Sequence, residues 1–184
     1  MGDGSRKPGR GGQILAVFSD SHGNLMLLRQ AVACAVRQGA GVLVHLGDDF
    51  ADLAGIDTGA AAVWRVPGLR CPEFGNPFVD RVAVFQFEGW RIQAVHDVGM
   101  ALPPLEPAGP ELVLPGHTHI PDCRRGEDGR WYCNPGHLKA QRDRGADAGF
   151  ALVQARTDGS LAVRFFAPDG SPAKSAPSGV TVLD

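Results

Sequence analysis

Carboxylate and imidazole side chains follow directly after several short apolar runs in this sequence. Six such residues are Asp20, His22, Asp48, His96, His117 and His119. Carboxylate oxygens combined with neutral imidazoles suit manganese, iron or zinc better than magnesium or calcium, which prefer oxygen ligands alone. Six donors exceed the need of one ion, so Asp48 is predicted to bridge two. Two ions about 4 Å apart can clamp an in-line displacement at phosphorus and lower the pKa of a shared water.

Each motif also has a simpler interpretation when it is taken alone. Asp20 would serve as a helix cap, and His22 would pack or face solvent. A His-x-His pair after a strand, as in His117 and His119, is common by chance. The combination carries the argument, because four of the six histidines come just after an apolar run.

The elements that must position these residues begin with a strand, a helix and a second strand. "QILAVF" predicts a buried strand, and the three- and four-residue spacing in "NLMLLRQAVACAVRQGAG" predicts a helix capped by Asn24 and stopped near Gly39. "GVLVHLGDD" repeats the pattern of an apolar strand followed by an acidic loop. A βαβ unit of this length predicts parallel strands whose acidic loops emerge at the same edge of the sheet.

The rest of the chain is predicted to be mainly strands. "AAVWRVPG" is a third strand, and hairpins are predicted around Glu88-Gly89, Glu127-Asp128 and Asp158-Gly159. This content predicts two packed sheets flanked by few helices. The composition of residues 1–12 and 168–184 predicts flexible tails around one domain at residues 13–167.

Composition and charge exclude several classes of protein. With 43% hydrophobic residues, 21% charged residues and a net charge of −2, the chain has the composition of a globular domain and no electrostatic preference for nucleic acid or membrane. No apolar run approaches the roughly 20 residues needed to cross a bilayer, and the start lacks a secretory signal, so a cytoplasmic protein is expected. The hairpin "CRRGEDGRWYC" places Cys123 opposite Cys133, although two reduced thiols are favoured over a disulfide.

The motifs, in their order along the chain, resemble those of the calcineurin-like metallophosphoesterases, in particular the small bacterial phosphodiesterases. The matching segments, which span Ile14 to Gly136, are "SDSHGN", "HLGDD", "VPGLRC", "AVHD", "PGHTHIP" and "NPGH". The resemblance implies an α/β fold, a four-layer αββα sandwich of two mixed sheets. It also implies a site for two divalent metal ions, with manganese the first expectation and iron, nickel, cobalt or zinc as alternatives.

The resemblance also assigns ligands to each ion. Asp20, His22 and His119 would hold the first ion, and Asp48 would bridge the pair. His96 and His117 would hold the second ion.

"VPGLRC" departs from the family motif at three adjacent positions. Leu69 replaces an Asn ligand of the second ion and brings no donor atom. Arg70 stands where many members have a His that helps the substrate or leaving group; a guanidinium cannot give up a proton near neutral pH, but it binds phosphate bidentately. Cys71 stands where an acidic residue usually orients that His.

Four further residues near the motifs have predicted roles. Asp97 follows His96 in place of a Gly, and either supports an imidazole or acts as an extra ligand. Asn24 and His137 are candidate contacts to the substrate, with an exposed loop position as the alternative for His137. His45 is expected to point away from the site and to be structural.

Together these features predict a metal-dependent phosphoesterase, with diesters favoured over monoesters, that hydrolyses a small-molecule phosphate ester by attack of a metal-bound hydroxide. Asp48 and Arg70 are the predicted catalytic residues, with Arg70 stabilising the phosphate. The alternative is a weakened phosphoesterase fold that retains one ion and binds a protein partner. A nucleic acid substrate is not expected, because the sequence has no basic groove with interleaved aromatic residues.

Overall fold

Two mixed β-sheets form the framework of the protein in the computed structural model, which describes residues 12–99 and 109–184. The strands of the six-stranded sheet are β1 (Ile14–Phe18), β2 (Ala40–His45), β3 (Ala62–Arg65), β11 (Phe150–Ala155), β12 (Leu161–Phe166) and β13 (Thr181–Leu183). Those of the five-stranded sheet are β4 (Val82–Phe87), β5 (Trp90–Val95), β6 (Leu112–Pro115), β7 (Asp122–Arg125) and β8 (Trp131–Asn134). A separate small hairpin pairs β9 (Arg142–Asp143) with β10 (Ala146–Asp147).

The strand orders are β13-β12-β11-β1-β2-β3 and β4-β5-β6-β8-β7. In the six-stranded sheet, β1, β2 and β3 are parallel, and β1 pairs with β11 in the antiparallel direction. In the other sheet, β5, β6 and β8 are parallel, with antiparallel strands at both edges. The parallel strands of each sheet end at one edge, which is where the predicted ligands follow.

The predicted βαβ unit is present. Helix α1 (Leu25–Arg37) joins β1 to β2, which are parallel with Phe18 opposite His45. The Asn24 side chain caps the helix by accepting a hydrogen bond from the backbone nitrogen of Leu27 at 3.2 Å. Gly39 follows the helix with a φ of 88°, a left-handed conformation that glycine adopts without steric cost.

The alternation of side chains along β1 divides the core in two. Leu15 and Val17 face the five-stranded sheet and pack in one cluster with Trp90 and other residues of that sheet. Ala16 and Phe18 point to the opposite face and pack with α1. The helix therefore covers the outer face of the six-stranded sheet, and the main core lies between the sheets.

This architecture confirms an α/β sandwich of two mixed sheets. Two short 3-10 helices, Asp52–Gly55 and Pro72–Gly75, accompany α1. Within residues 12–99 and 109–184, α1 is the one α-helix, so the second helical layer of the αββα arrangement is not found among them. No helix in these ranges is long and apolar enough to span a membrane.

Two features differ from the sequence predictions. The predicted flexible segment 168–184 contains β13, which pairs with β12 and buries Leu183, whereas residues 1–11 of the predicted N-terminal tail lie outside the described residues. Cys123 and Cys133 face each other across β7 and β8 as the hairpin predicts, but they form a disulfide rather than two thiols.

Candidate metal centre

Loops at the ends of four strands bring the predicted ligands together. Asp20 and Asp48 follow β1 and β2 of one sheet, whereas His96 and His117 follow β5 and β6 of the other. Backbone hydrogen bonds tie the loops of each sheet together, since the nitrogen of Asp20 donates to the oxygen of Gly47 and that of Gly116 to the oxygen of His96, each at 2.9 Å. The site is therefore built by both sheets.

Five of the six predicted ligands have a left-handed backbone. These are Asp20 (φ 53°), His22 (φ 47°), Asp48 (φ 39°), His117 (φ 66°) and His119 (φ 65°). A positive φ is uncommon outside glycine, costs roughly 1–3 kcal/mol per residue and concentrates at functional sites. The strain indicates that these loops are shaped for the positions of their side chains.

The first group of donors contains Asp20, His22 and His119. Asp20 Oδ1 lies 3.2 Å from His119 Nε2, and the Nε2 atoms of His22 and His119 are 3.3 Å apart. The other oxygen of Asp20 accepts hydrogen bonds from the Ser19 hydroxyl and, at 3.0 Å, from the backbone nitrogen of His117. Burial raises the pKa of Asp20, but interactions with His119 and Ser19 outweigh this and hold it below its usual value. Asp20 therefore presents a charged oxygen to this group.

Asp48 lies between the first group and a second one. Its Oδ2 is 3.6 Å from His22 Nε2, and its Oδ1 is 3.6 Å from His96 Nε2. His117 completes the second group, with its ring 5.2 Å from the ring of His96. Asp48 thus offers one oxygen to each group, which is the arrangement that a bridging ligand requires.

Buried polar atoms without hydrogen bonds indicate that this site is suited to a cation. Asp20 Oδ1, Asp48 Oδ1 and His96 Nε2 are all buried without a hydrogen-bond partner. Such unpaired atoms are costly, and buried charges are usually paired or bound to metal. Two sets of donors also lie close enough together to share an ion. One set is Asp20, His22 and His119, and the other is Asp20, Asp48 and His96. These residues fit divalent metal ions.

Three glycines make room for the donors. A Cβ atom on Gly68 would lie 1.9 Å from Asp48 Oδ1, and one on Gly47 would lie 2.9 Å from His96 Nδ1. A Cβ atom on Gly116 would lie 2.1 Å from the Ser19 hydroxyl oxygen. Gly47, Gly68 and Gly116 are therefore required for the close approach of these loops.

His45 and Ser21 support the loop that carries Asp48 through a chain of hydrogen bonds. The backbone nitrogen of Gly47 donates to His45 Nδ1 at 3.3 Å, so His45 Nε2 carries the proton and donates to the Ser21 hydroxyl at 3.0 Å. Ser21 in turn donates to the backbone oxygen of Asp48 at 3.2 Å. Burial lowers the pKa of His45 to about 4, which keeps this ring neutral. The structural role predicted for His45 agrees with these contacts.

Asp143 is a component of the site that the sequence did not reveal. Its Oδ2 accepts a hydrogen bond from His119 Nδ1, which leaves Nε2 of that ring directed at Asp20. This hydrogen bond lowers the pKa of Asp143. Asp143 belongs to β9 in the polar segment "KAQRDRGADAG", which has no apolar period to mark it.

Gly68 places the "VPGLRC" loop beside the side chain of Asp48. Leu69 and Arg70, which follow Gly68, are both exposed, with 38% of Leu69 accessible. Cys71 is buried, and burial raises the pKa of its thiol. Leu69 offers no donor to the second group of ligands, as its side chain dictates.

The structure places His137 and Asn24, the two predicted substrate contacts, in hydrogen bonds within the protein. His137 is fully buried, its ring lies 5.4 Å from the ring of His119, and its Nε2 donates to the oxygen of Ala146 at 3.2 Å. Asn24 uses both ends of its amide within the protein, since Oδ1 caps α1 and Nδ2 donates to the oxygen of Lys139 at 2.9 Å. Both side chains therefore support the loops around the site.

A family model described as the calcineurin-like phosphoesterase superfamily domain matches residues 14–158. The chain belongs to this superfamily. The match includes all six predicted ligands and Asp143. Among curated proteins no match was found.

Solved structures of this superfamily's fold cover nearly the whole chain. A phosphoesterase from E. coli, Yfce, shares 20% identity at a TM-score of 0.66, covering 94% of this chain and 100% of its own. An archaeal phosphodiesterase shares 15% identity at a TM-score of 0.66, covering 84% and 99%. Vps29 from Entamoeba histolytica, in complex with zinc, shares 16% identity at a TM-score of 0.58, covering 92% and 97%. At these identities the similarity establishes the fold alone.

Proposed function

We propose that this superfamily member is a metal-dependent phosphoesterase that prefers small-molecule phosphodiesters. The observation that carries the proposal is the position of Asp48, which offers one oxygen to each of two imidazole groups. Buried atoms on Asp20, Asp48 and His96 that have no hydrogen-bond partner support the proposal, because a cation would pair with them. The cytoplasmic location expected from the sequence stays a prediction.

The residues divide between two ions as follows. Asp20, His22 and His119 would hold the first, Asp48 would be shared, and His96 and His117 would hold the second. Two divalent ions held there, with manganese favoured over iron, nickel, cobalt and zinc, would supply positive charge for the phosphate oxygens and would lower the pKa of a bound water. The hydrogen bonds of His119 and His96 to Asp143 and Leu46 fix their rings, so Nε2 remains the donor atom.

Arg70 supplies the charge at the phosphate. It is exposed and lies two residues after Gly68, which contacts Asp48. A guanidinium binds phosphate oxygens bidentately and stabilises developing charge, but it cannot protonate a leaving group. We therefore expect the best substrates to be diesters whose leaving groups depart without a proton.

The test compares hydrolysis of bis(4-nitrophenyl) phosphate and 4-nitrophenyl phosphate with each metal and with chelator. Gly68→Ala and Gly75→Ala form a matched pair, since a Cβ atom clashes with Asp48 at Gly68 and meets nothing within 4 Å at Gly75. We expect metal-dependent hydrolysis of the diester, a loss of about 100-fold in G68A through displacement of Asp48, and parental activity in G75A. Diester hydrolysis that stays at the background rate with every added metal, in protein shown to be folded, contradicts the proposal.

Leu69 favours a second candidate function, a scaffold that keeps the fold and binds a protein partner. Its exposed isobutyl group has no donor for the second ion, and Vps29 proteins are among the structural neighbours. Elemental analysis of protein purified without chelator separates the two functions. Two ions per chain support the enzyme, whereas one or none, together with absent hydrolysis, supports the scaffold.

A further inference from the structure

We propose that Asp97 is a protein ligand of the second metal ion and replaces the amide ligand that Leu69 cannot provide. The inference rests on the two-ion centre proposed above and assigns the ligand missing from its second half. Asp97 directly follows His96 at the end of β5, so its position is fixed by the same strand that positions a ligand.

The Asp97 carboxylate faces the second group of donors. Its Oδ2 lies 3.9 Å from Nε2 of His117, whose ring is 5.2 Å from that of His96. Its Oδ1 accepts a hydrogen bond from the backbone nitrogen of Gly99 at 2.8 Å, which holds the carboxylate in this orientation. Two donors that each lie about 2.1 Å from one ion are about 3–4 Å apart, so the separation from His117 fits a shared ion.

A purely supporting role for Asp97 does not fit this geometry. A supporting carboxylate accepts a hydrogen bond from the imidazole nitrogen that faces away from the metal, as Asp143 does from His119 Nδ1. Asp97 instead faces Nε2 of His117, and Nε2 is also the ring nitrogen that His22 and His119 direct at their shared donor group. The 3.9 Å separation between Asp97 Oδ2 and His117 Nε2 is too long for a hydrogen bond.

With Asp97 included, both ions have the same kind of donor set. Each would be held by two carboxylates and two imidazoles: Asp20, Asp48, His22 and His119 for the first, and Asp48, Asp97, His96 and His117 for the second. We therefore expect the same metal in both positions. A carboxylate in place of a neutral amide also lowers the positive charge of the centre by one unit. This weakens attraction to a dianionic monoester more than to a monoanionic diester, because the Coulomb energy scales with the product of charges.

The test is reconstitution of the metal-free protein with manganese. It measures the metal-to-protein ratio after desalting, the dissociation constants by calorimetry, and the spin coupling of a metal pair by electron paramagnetic resonance. Four proteins are compared: the parent, Asp97→Ala, Asp97→Ala combined with Leu69→Asn, and Asp122→Ala. Asp122 is a control because it is a partly exposed carboxylate on β7 paired with Arg124. Thermal unfolding in chelator checks that each metal-free variant folds like the parent.

We expect two coupled manganese ions in the parent and the D122A control. D97A should bind one ion, with the second site weakened beyond the about 10- to 100-fold typical of a lost supporting residue, and Leu69→Asn should restore the second ion. Two ions at parental affinity in D97A, a loss within the range of a supporting residue, or no rescue by Leu69→Asn each overturn the proposal. If D97A keeps two ions while the parent hydrolyses diesters, only the role of Asp97 fails. If the parent binds no ion and hydrolyses nothing, the proposed function fails as well.

Discussion

At the scale of single residues, His119 lies between two carboxylates with different tasks. Its Nε2 faces Asp20 Oδ1 at 3.2 Å, and its Nδ1 donates to Asp143. Burial lowers the pKa of His119, but the interactions with the Asp20 and Asp143 carboxylates outweigh this and raise the pKa above its usual value. Asp143 therefore fixes the tautomer and orientation of a predicted metal ligand and increases its basicity.

We expect Asp143→Asn to weaken manganese binding at the first site by about 10- to 100-fold, since this is the usual cost of a lost supporting carboxylate. Calorimetric titration of the metal-free protein measures the change. Asp147→Asn is the matched control, because Asp147 pairs with Arg142 in the same small hairpin and does not contact His119. Equal losses in both variants would show that the hairpin fold matters rather than the Asp143 carboxylate.

The sequence revealed those residues of the site that directly follow an apolar strand. Asp20, Asp48 and His96 come one to three positions after a strand, so strand prediction and residue type together locate them. Asp143 and His137 lie in loops and a two-residue strand, where no hydrophobic period predicts direction or burial. Their contacts with His119 depend on the tertiary fold rather than on a local sequence pattern.

At the scale of elements, the strands with apolar alternation and clear turn signals were predicted, whereas the C-terminal strand was not. β13 follows a segment rich in Pro, Ser and Gly, and its three residues are too few for a periodic signal. Its place at the edge of the six-stranded sheet comes from pairing with β12 and from the burial of Leu183 in the core between the sheets. Tertiary packing rather than local sequence therefore defines this strand.

We expect Leu183→Ala to lower the free energy of unfolding by about 2–5 kcal/mol, because it removes a fully buried side chain from the core. Val182→Ala is the control on the same strand, since Val182 is 44% exposed, and its effect should stay within about 0.5 kcal/mol. Urea unfolding of the metal-free proteins measures both. A small effect of L183A would mean that the segment does not pack on the sheet in solution, as the sequence had predicted.

At the scale of the whole molecule, the candidate metal centre connects the two sheets at one edge of the sandwich. Asp20 and Asp48 come from loops of the six-stranded sheet, and His96 and His119 from loops of the five-stranded sheet. Carboxylates and buried polar atoms without hydrogen bonds are concentrated at this junction. Ions bound there stabilise the folded state specifically, because the unfolded chain does not hold these donors together.

We therefore expect manganese to stabilise the whole domain against unfolding. At a free concentration of 100 times the dissociation constant, each independent site adds about 2.7 kcal/mol, so two sites add about 5 kcal/mol. Thermal or urea unfolding with manganese and with chelator measures the difference, and calcium provides a comparison because it prefers oxygen ligands alone. Asp48→Asn removes a charge shared by both sites and should abolish most of the gain. Equal unfolding curves with manganese and chelator would mean that the donors do not form a metal centre, whereas a gain of half the expected size would indicate that a single site is filled.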